Sequence, residues 1–157
     1  WSFGDCQYLV NGRYYSEEKK IDTLLAQARS FVLEAELAAG KNPDSLRERD
    51  PGRELILPFL KLQSQFANRG ETWRYAVLDG FDIDLRDLNE VDVPVGSEVV
   101  LASDGYPELK ATLAASELAL EEVLREDPLC MSRFKSTKGH VQGQRSFDDR
   151  AYVRFQV

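Results

Sequence analysis

Two places in the chain set a carboxylate at the mouth of an apolar strand. Val99-Val100-Leu101-Ala102 runs into Ser103-Asp104-Gly105, and Asp148-Asp149 stands just before the alternating segment Ala151-Tyr152-Val153-Arg154-Phe155-Gln156-Val157. A strand packed into a core fixes its end, so a carboxylate there is well placed to hold a cation. Gly105 lets the backbone pass close to such an ion. Hard divalent cations such as Mg²⁺ and Mn²⁺ take oxygen ligands in near-octahedral geometry and usually keep several waters. Two or three carboxylates on separate strand ends meet that need without any histidine. Neighbouring side chains on an extended backbone point oppositely, so one of Asp148 and Asp149 faces the site. The plainer readings are a capping aspartate at 104 and a charged turn before an edge strand at 148–149.

Other reactive groups give less. His140 is the only histidine, in the loop segment Lys138-Gly139-His140, and no serine or cysteine nucleophile motif accompanies it. Arg133, Lys135 and Lys138 could receive a phosphate, or form an ordinary solvated loop. Tyr75-Ala76-Val77-Leu78-Asp79-Gly80 offers a strand and an Asp-Gly step but reads as an ordinary turn. There is no Walker loop and no dinucleotide-binding glycine fingerprint.

The elements that must position these carboxylates alternate between two periods. Residues 1–15 read as a β-hairpin around Asn11-Gly12, with Trp1 to Cys6 in mid-strand. Ser16 is expected to cap a helix bearing Ile21, Leu24, Leu25, Ala28, Val32 and Ala35 on one face, stopped at Gly40. Residues 41–53, with two prolines and many charges, predict an exposed loop. A second helix is expected over 54–67, with Pro58 tolerated near its first turn. Strands are expected at 73–77, 81–85, 98–102 and 151–157, and a third helix at 111–125 before a long loop over 126–146. Strands grouped apart from helices predict α+β layers in one domain, 1–157.

Composition narrows the function. The formal net charge of −7 and the lack of a Lys/Arg stripe argue against nucleic acid as a partner. No apolar run approaches the ~20 residues needed to span a bilayer. The two cysteines, Cys6 and Cys130, form no framework or CxxC pattern and predict reduced thiols in the cytoplasm.

Taken together, three segments resemble the metal-dependent protein phosphatases of the 2C type. Val99 to Tyr106 resembles that family's strand followed by Ser-Asp-Gly. Ser146 to Val153 resembles its closing acidic pair before the last strand. Phe3-Gly4-Asp5-Cys6 resembles its Gly-Asp-Ser hairpin, with Cys6 where serine is usual. The motifs fall in the family's order and span almost the whole chain. The resemblance implies an antiparallel β-sandwich flanked by helices (αββα) with a dinuclear Mg²⁺ or Mn²⁺ centre at one end. It implies Asp104 and Asp148 as ligands of one metal, favours Asp148 over Asp149, and puts Asp5 and Glu108 at a looser third cation. Glu108 is longer than the aspartate usual there. A metal-bridging water would then attack a phosphate monoester, on a phosphorylated protein or a small phosphate ester. The family's remaining ligands lie upstream of the hairpin motif, so the chain is expected to be the C-terminal part of the domain. An N-terminal segment of the same protein would complete the site. Two alternatives stay open: a phosphatase-like scaffold without catalysis that serves as a binding or regulatory module, and an unrelated α+β domain.

Overall fold

Asn11 and Gly12 both adopt positive φ, 49° and 79°, as a type I′ turn requires. They close the hairpin of β1 (Gln7–Val10) and β2 (Arg13–Ser16). A computed structural model describing residues 1–157 gives the fold. It is α+β, with one antiparallel sheet in the order β2-β1-β3-β4, where β3 is Glu98–Ala102 and β4 is Tyr152–Gln156. The helices are α1 (Lys20–Ala38), α2 (Pro43–Glu48), α3 (Pro51–Leu62) and α4 (Leu113–Glu126). None is long and apolar enough to cross a membrane.

The chain divides into two compact units. The first comprises Trp1–Lys19, Gln65–Leu120 and Asp149–Val157, and the second Lys20–Ser64 and Glu121–Asp148. In the first, register alone assigns side chains to the two faces of the sheet. Gln7, Ala102 and Tyr152 are direct partners, as are Leu9 and Val100. Leu9, Val100 and Ala102 pack with Tyr106, Leu109 and Tyr152 into the core of this unit. The opposite face carries Tyr8, Val10, Val99, Leu101, Val153 and Phe155. It lines an apolar groove of about 610 Å³ together with Trp1, Phe3 and Val157.

The second unit is built around a buried arginine. The stripe that α1 buries is Leu25, Ala26, Arg29, Ser30 and Leu33, turned from the expected one, and Leu24 is exposed. Arg29 is fully buried because its guanidinium donates to the carbonyls of Leu129 (2.7 Å), Cys130 (3.0 Å) and Ser136 (2.9 Å) and to Asp50 (2.7 Å). A buried cation saturated in this way satisfies the rule that excludes charge from cores. Asp127, also buried, accepts from the backbone N–H groups of Met131, Ser132 and Phe134. The long loop after α4 thus has no repeating structure yet is tightly organised.

Several expectations fail for identifiable reasons. Ser16 ends β2 instead of capping α1, which starts at Lys20. Trp1 to Cys6 is not a strand, since Ser2 makes only an isolated bridge and Gly4 turns the chain at φ 85°. The expected loop 41–53 is α2 and the start of α3, because each proline is the first residue of a helix. Asn42 accepts from the Asp44 N–H (2.9 Å) and Asp50 from the Arg53 N–H (2.7 Å) as N-caps. Pro58 lies inside α3, well past its first turn. No regular strand forms at 73–77 or 81–85; the alternating segment 81–85 leaves Phe81 and Leu85 exposed, and a short 3₁₀ turn forms at Leu85–Asp87. The stop at Gly40 (φ 88°), β3, α4 and the terminal strand occur as expected.

Candidate metal centre

The start of β1, the end of β3 and the start of β4 meet at one end of the first unit's sheet. Gln7 pairs with Ala102 and Ala102 with Tyr152, so these three antiparallel strands have that end in register. The residues just outside it are Asp5 and Cys6 before β1, Ser103-Asp104-Gly105 after β3, and Asp149-Arg150-Ala151 before β4.

Side chains that sequence reasoning overlooked hold this end together. Gln7 is buried, and its Nε2 donates to the carbonyls of Ser103 and Tyr106, both at 2.8 Å. Its Oε1 accepts from the Tyr14 hydroxyl at 3.2 Å. The amide therefore pins both ends of the turn that carries Asp104. The available signal was a glutamine at an inward position of an otherwise apolar strand, which needs partners when buried. On the other side, the Ser103 N–H donates to the Ala151 carbonyl (3.2 Å) and the Ala151 N–H to the Ser103 hydroxyl (2.9 Å). Gly105 is required by contact: a Cβ there would stand 2.2 Å from the Asp149 carbonyl oxygen.

Burial first, and then the carboxylates of Asp5 and Asp104, push the Cys6 thiol up, while Lys19 pulls the other way. Asp104 is exposed. Asp5 is ion-paired with Lys19 at 2.5 Å, and the same ammonium lies 5.1 Å from the Tyr75 ring centroid. Glu108 is ion-paired with Lys110 at 2.9 Å. Asp149 is exposed and contributes its backbone carbonyl to the Gly105 contact. Asp148 belongs to the second unit, ion-paired there with Lys138 at 2.5 Å. His140 is likewise in the second unit, its Nε2 2.6 Å from the Gln144 carbonyl oxygen.

The carboxylates of Asp5 and Asp104 at this end offer oxygen donors, the type that Mg²⁺ and Mn²⁺ take with waters completing the shell. No group of three or more His, Cys, Asp or Glu side chains is arranged to hold a metal. Neither a protein-family model nor a curated protein nor a solved structure matches the chain.

Proposed function

We propose that the protein is a metal-dependent phosphatase-like domain of the 2C type that hydrolyses phosphate monoesters, on phosphorylated proteins or on a small phosphate ester. The observation that carries this reading is the convergence of Gly4-Asp5-Cys6, Ser103-Asp104-Gly105 and Asp149-Arg150-Ala151, three segments far apart in sequence, on one end of three adjacent strands. Asp104 is the central ligand, with Asp5 and Glu108 at a looser cation. A bound Mg²⁺ or Mn²⁺ would supply a deprotonated water at neutral pH and neutralise charge on the phosphate. The chain's own contribution is rigidity. Gln7 and the Ser103–Ala151 hydrogen bonds fix the Asp104 turn, so little freedom is lost when a ligand binds.

The second layer of an αββα sandwich belongs to the same proposal. A sheet that is apolar on both faces needs a layer on each. One face has the Tyr106 and Leu109 core, while Leu101, Val153, Phe155 and Val157 are between 43% and 55% exposed around the groove. A second sheet from an N-terminal segment of the same protein would cover them. The unpaired thiols Cys6 and Cys130 favour the cytoplasm.

One observation favours the scaffold reading instead. Asp5, Glu108 and Asp148 each have a lysine partner, which balances their charge without a metal. The deciding experiment is Mn²⁺-dependent hydrolysis of an aryl phosphate by the full-length protein and its Asp104→Asn variant. Metal-dependent activity that falls to background in the variant is the expected result. Equal activity in both proteins refutes the assignment, and inactivity of both with an intact fold favours the scaffold.

A further inference from the structure

The turn carrying Asp104 has a second brace, on the side away from Gln7. Glu117, on α4, receives a two-pronged contact from the Arg150 guanidinium, Nε to Oε1 at 2.8 Å and Nη2 to Oε2 at 2.6 Å. The Tyr106 hydroxyl donates to the same Oε1 at 2.6 Å, and the guanidinium carbon lies 5.9 Å from the Tyr106 ring centroid. Tyr106 is buried and follows Gly105 directly. Arg150 follows Asp149, whose carbonyl presses on Gly105, and its own Cβ would meet a Cβ at Gly105 at 2.9 Å. Glu117 therefore grips the residue after each of the two acidic motifs, Tyr106 for one and Arg150 for the other.

We propose that Glu117 and Arg150 are positioning residues, an ion-paired clamp that holds the segment before β4 against the Asp104 turn and so fixes Asp104 for cation binding. The inference rests on the metal-binding reading above. The fork geometry matters to it. A guanidinium bound through two parallel N–H groups restrains direction as well as distance, which a lysine does not. The side chains of Arg150 and Glu117 are 22% and 33% exposed, so the pair is partly screened and works by geometry more than by raw Coulomb attraction. Partners of this kind behind metal ligands typically account for ~10–100-fold in metal affinity.

The test is Mn²⁺ titration calorimetry on the full-length protein, on Asp104→Asn, and on Glu117→Ala, Arg150→Ala and Arg150→Lys. Amide hydrogen exchange at Ser103 and Ala151 is followed in parallel. The expected result is Mn²⁺ binding that Asp104→Asn abolishes and that both alanine variants weaken by about tenfold or more. Arg150→Lys falls between, and exchange at Ser103 and Ala151 speeds up while the β1–β2 hairpin amides stay as they were. A purely structural role would leave the affinity of correctly folded variants unchanged. If Asp104→Asn abolishes binding but the Glu117 and Arg150 variants stay within about twofold of the native protein, the clamp is overturned and the metal reading stands. Absence of Mn²⁺ binding in the native protein overturns both. Should the alanine variants fail to fold, Arg150→Lys and Tyr106→Phe are judged by the same affinity criterion.

Discussion

Replacing Arg29 tests whether a single buried cation organises the second unit. Its side chain sits in a slot that two glycines make possible. A Cβ at Gly52 would lie 2.6 Å from the Arg29 carbonyl oxygen and 2.8 Å from its Cγ, and one at Gly139 would lie 2.7 Å from Nη2. Arg29→Met keeps much of the apolar stem and removes every donor. The buried Leu129 carbonyl then loses its partner, as does the part-buried Ser136 carbonyl, while the Cys130 carbonyl keeps only the Ser136 N–H at 3.0 Å. Leaving a buried acceptor unsatisfied costs about 1–3 kcal/mol, and stripping one partner from a buried ion pair about 3–5 kcal/mol. Asp50 retains the Arg53 N–H and 18% exposure, which sets its share at the lower end. Water entering the vacated slot relieves part of the carbonyl cost. The net expectation is a loss of about 5 kcal/mol, a large part of the ~5–15 kcal/mol that holds an ordinary domain together. Urea unfolding gives the total. Exchange at the Met131 and Ser132 amides, which Asp127 holds in the same loop, localises it. Arg29→Lys, which keeps a charge but not the fork, should lose roughly half as much. A loss below about 2 kcal/mol in Arg29→Met would refute the claim that these bonds organise the loop.

Three further outcomes are expected. Gly105→Ala must move the Asp149 carbonyl, since its Cβ would stand 2.2 Å from that oxygen; calorimetry should give Mn²⁺ affinity lowered about tenfold or more with the β1–β2 hairpin undisturbed. Glu117 is held down to about 2 from its usual 4.5, chiefly by the Arg150 guanidinium, so the stability it contributes is present above 4.5 and lost as pH falls through 2. The melting temperature of Glu117→Gln should accordingly trail the native protein at neutral pH and converge with it across that window. Lys19→Gln removes a cation 2.5 Å from Asp5 and should tighten Mn²⁺ binding severalfold; weaker binding would refute competition for that carboxylate.

What the sequence made legible was whatever rests on neighbours in the chain. Asn11-Gly12 names its turn because positive φ at both positions is a local property. Gly40 closes α1 through the Lys41 N–H to the Glu36 carbonyl and its own N–H to the Leu37 carbonyl, again local. The prolines at 43 and 51 were misread because proline both breaks helices and begins them. The asparagine and aspartate just before them carried the distinction. Arg29 could not be seen as core from its own segment, because all three carbonyls it satisfies lie about a hundred residues away. The same holds at the candidate site. Asp104 was legible as an acid at a strand end, whereas Gln7, Glu117 and Arg150 take their meaning only from partners distant in sequence.

The lysine partners of the acidic residues bear on how the two functional readings are weighed, and their energies decide how heavily. The Lys19–Asp5 pair is 24% and 34% exposed, and the Lys110–Glu108 pair 46% and 39%. Pairs this open contribute about 0–1 kcal/mol, because the high dielectric around them and the entropy of two long side chains offset most of the attraction. A divalent cation brings twice the charge and no side-chain entropy of its own. Each lysine can swing into solvent at small cost when the ion arrives. Charge balance by the lysines therefore weighs for the scaffold by no more than these small pair energies. The discriminating quantity is the rigidity of the Asp104 turn, since an acid that must be reorganised on binding gains little from any cation. That turn is held by a buried glutamine amide on one side and by the Ser103–Ala151 hydrogen bonds on the other. Loosening it by Gln7→Ala, which leaves every carboxylate and every lysine in place, should cost Mn²⁺ affinity as surely as removing a ligand. An unchanged affinity in that variant would mean that the turn is held for the sake of the fold alone.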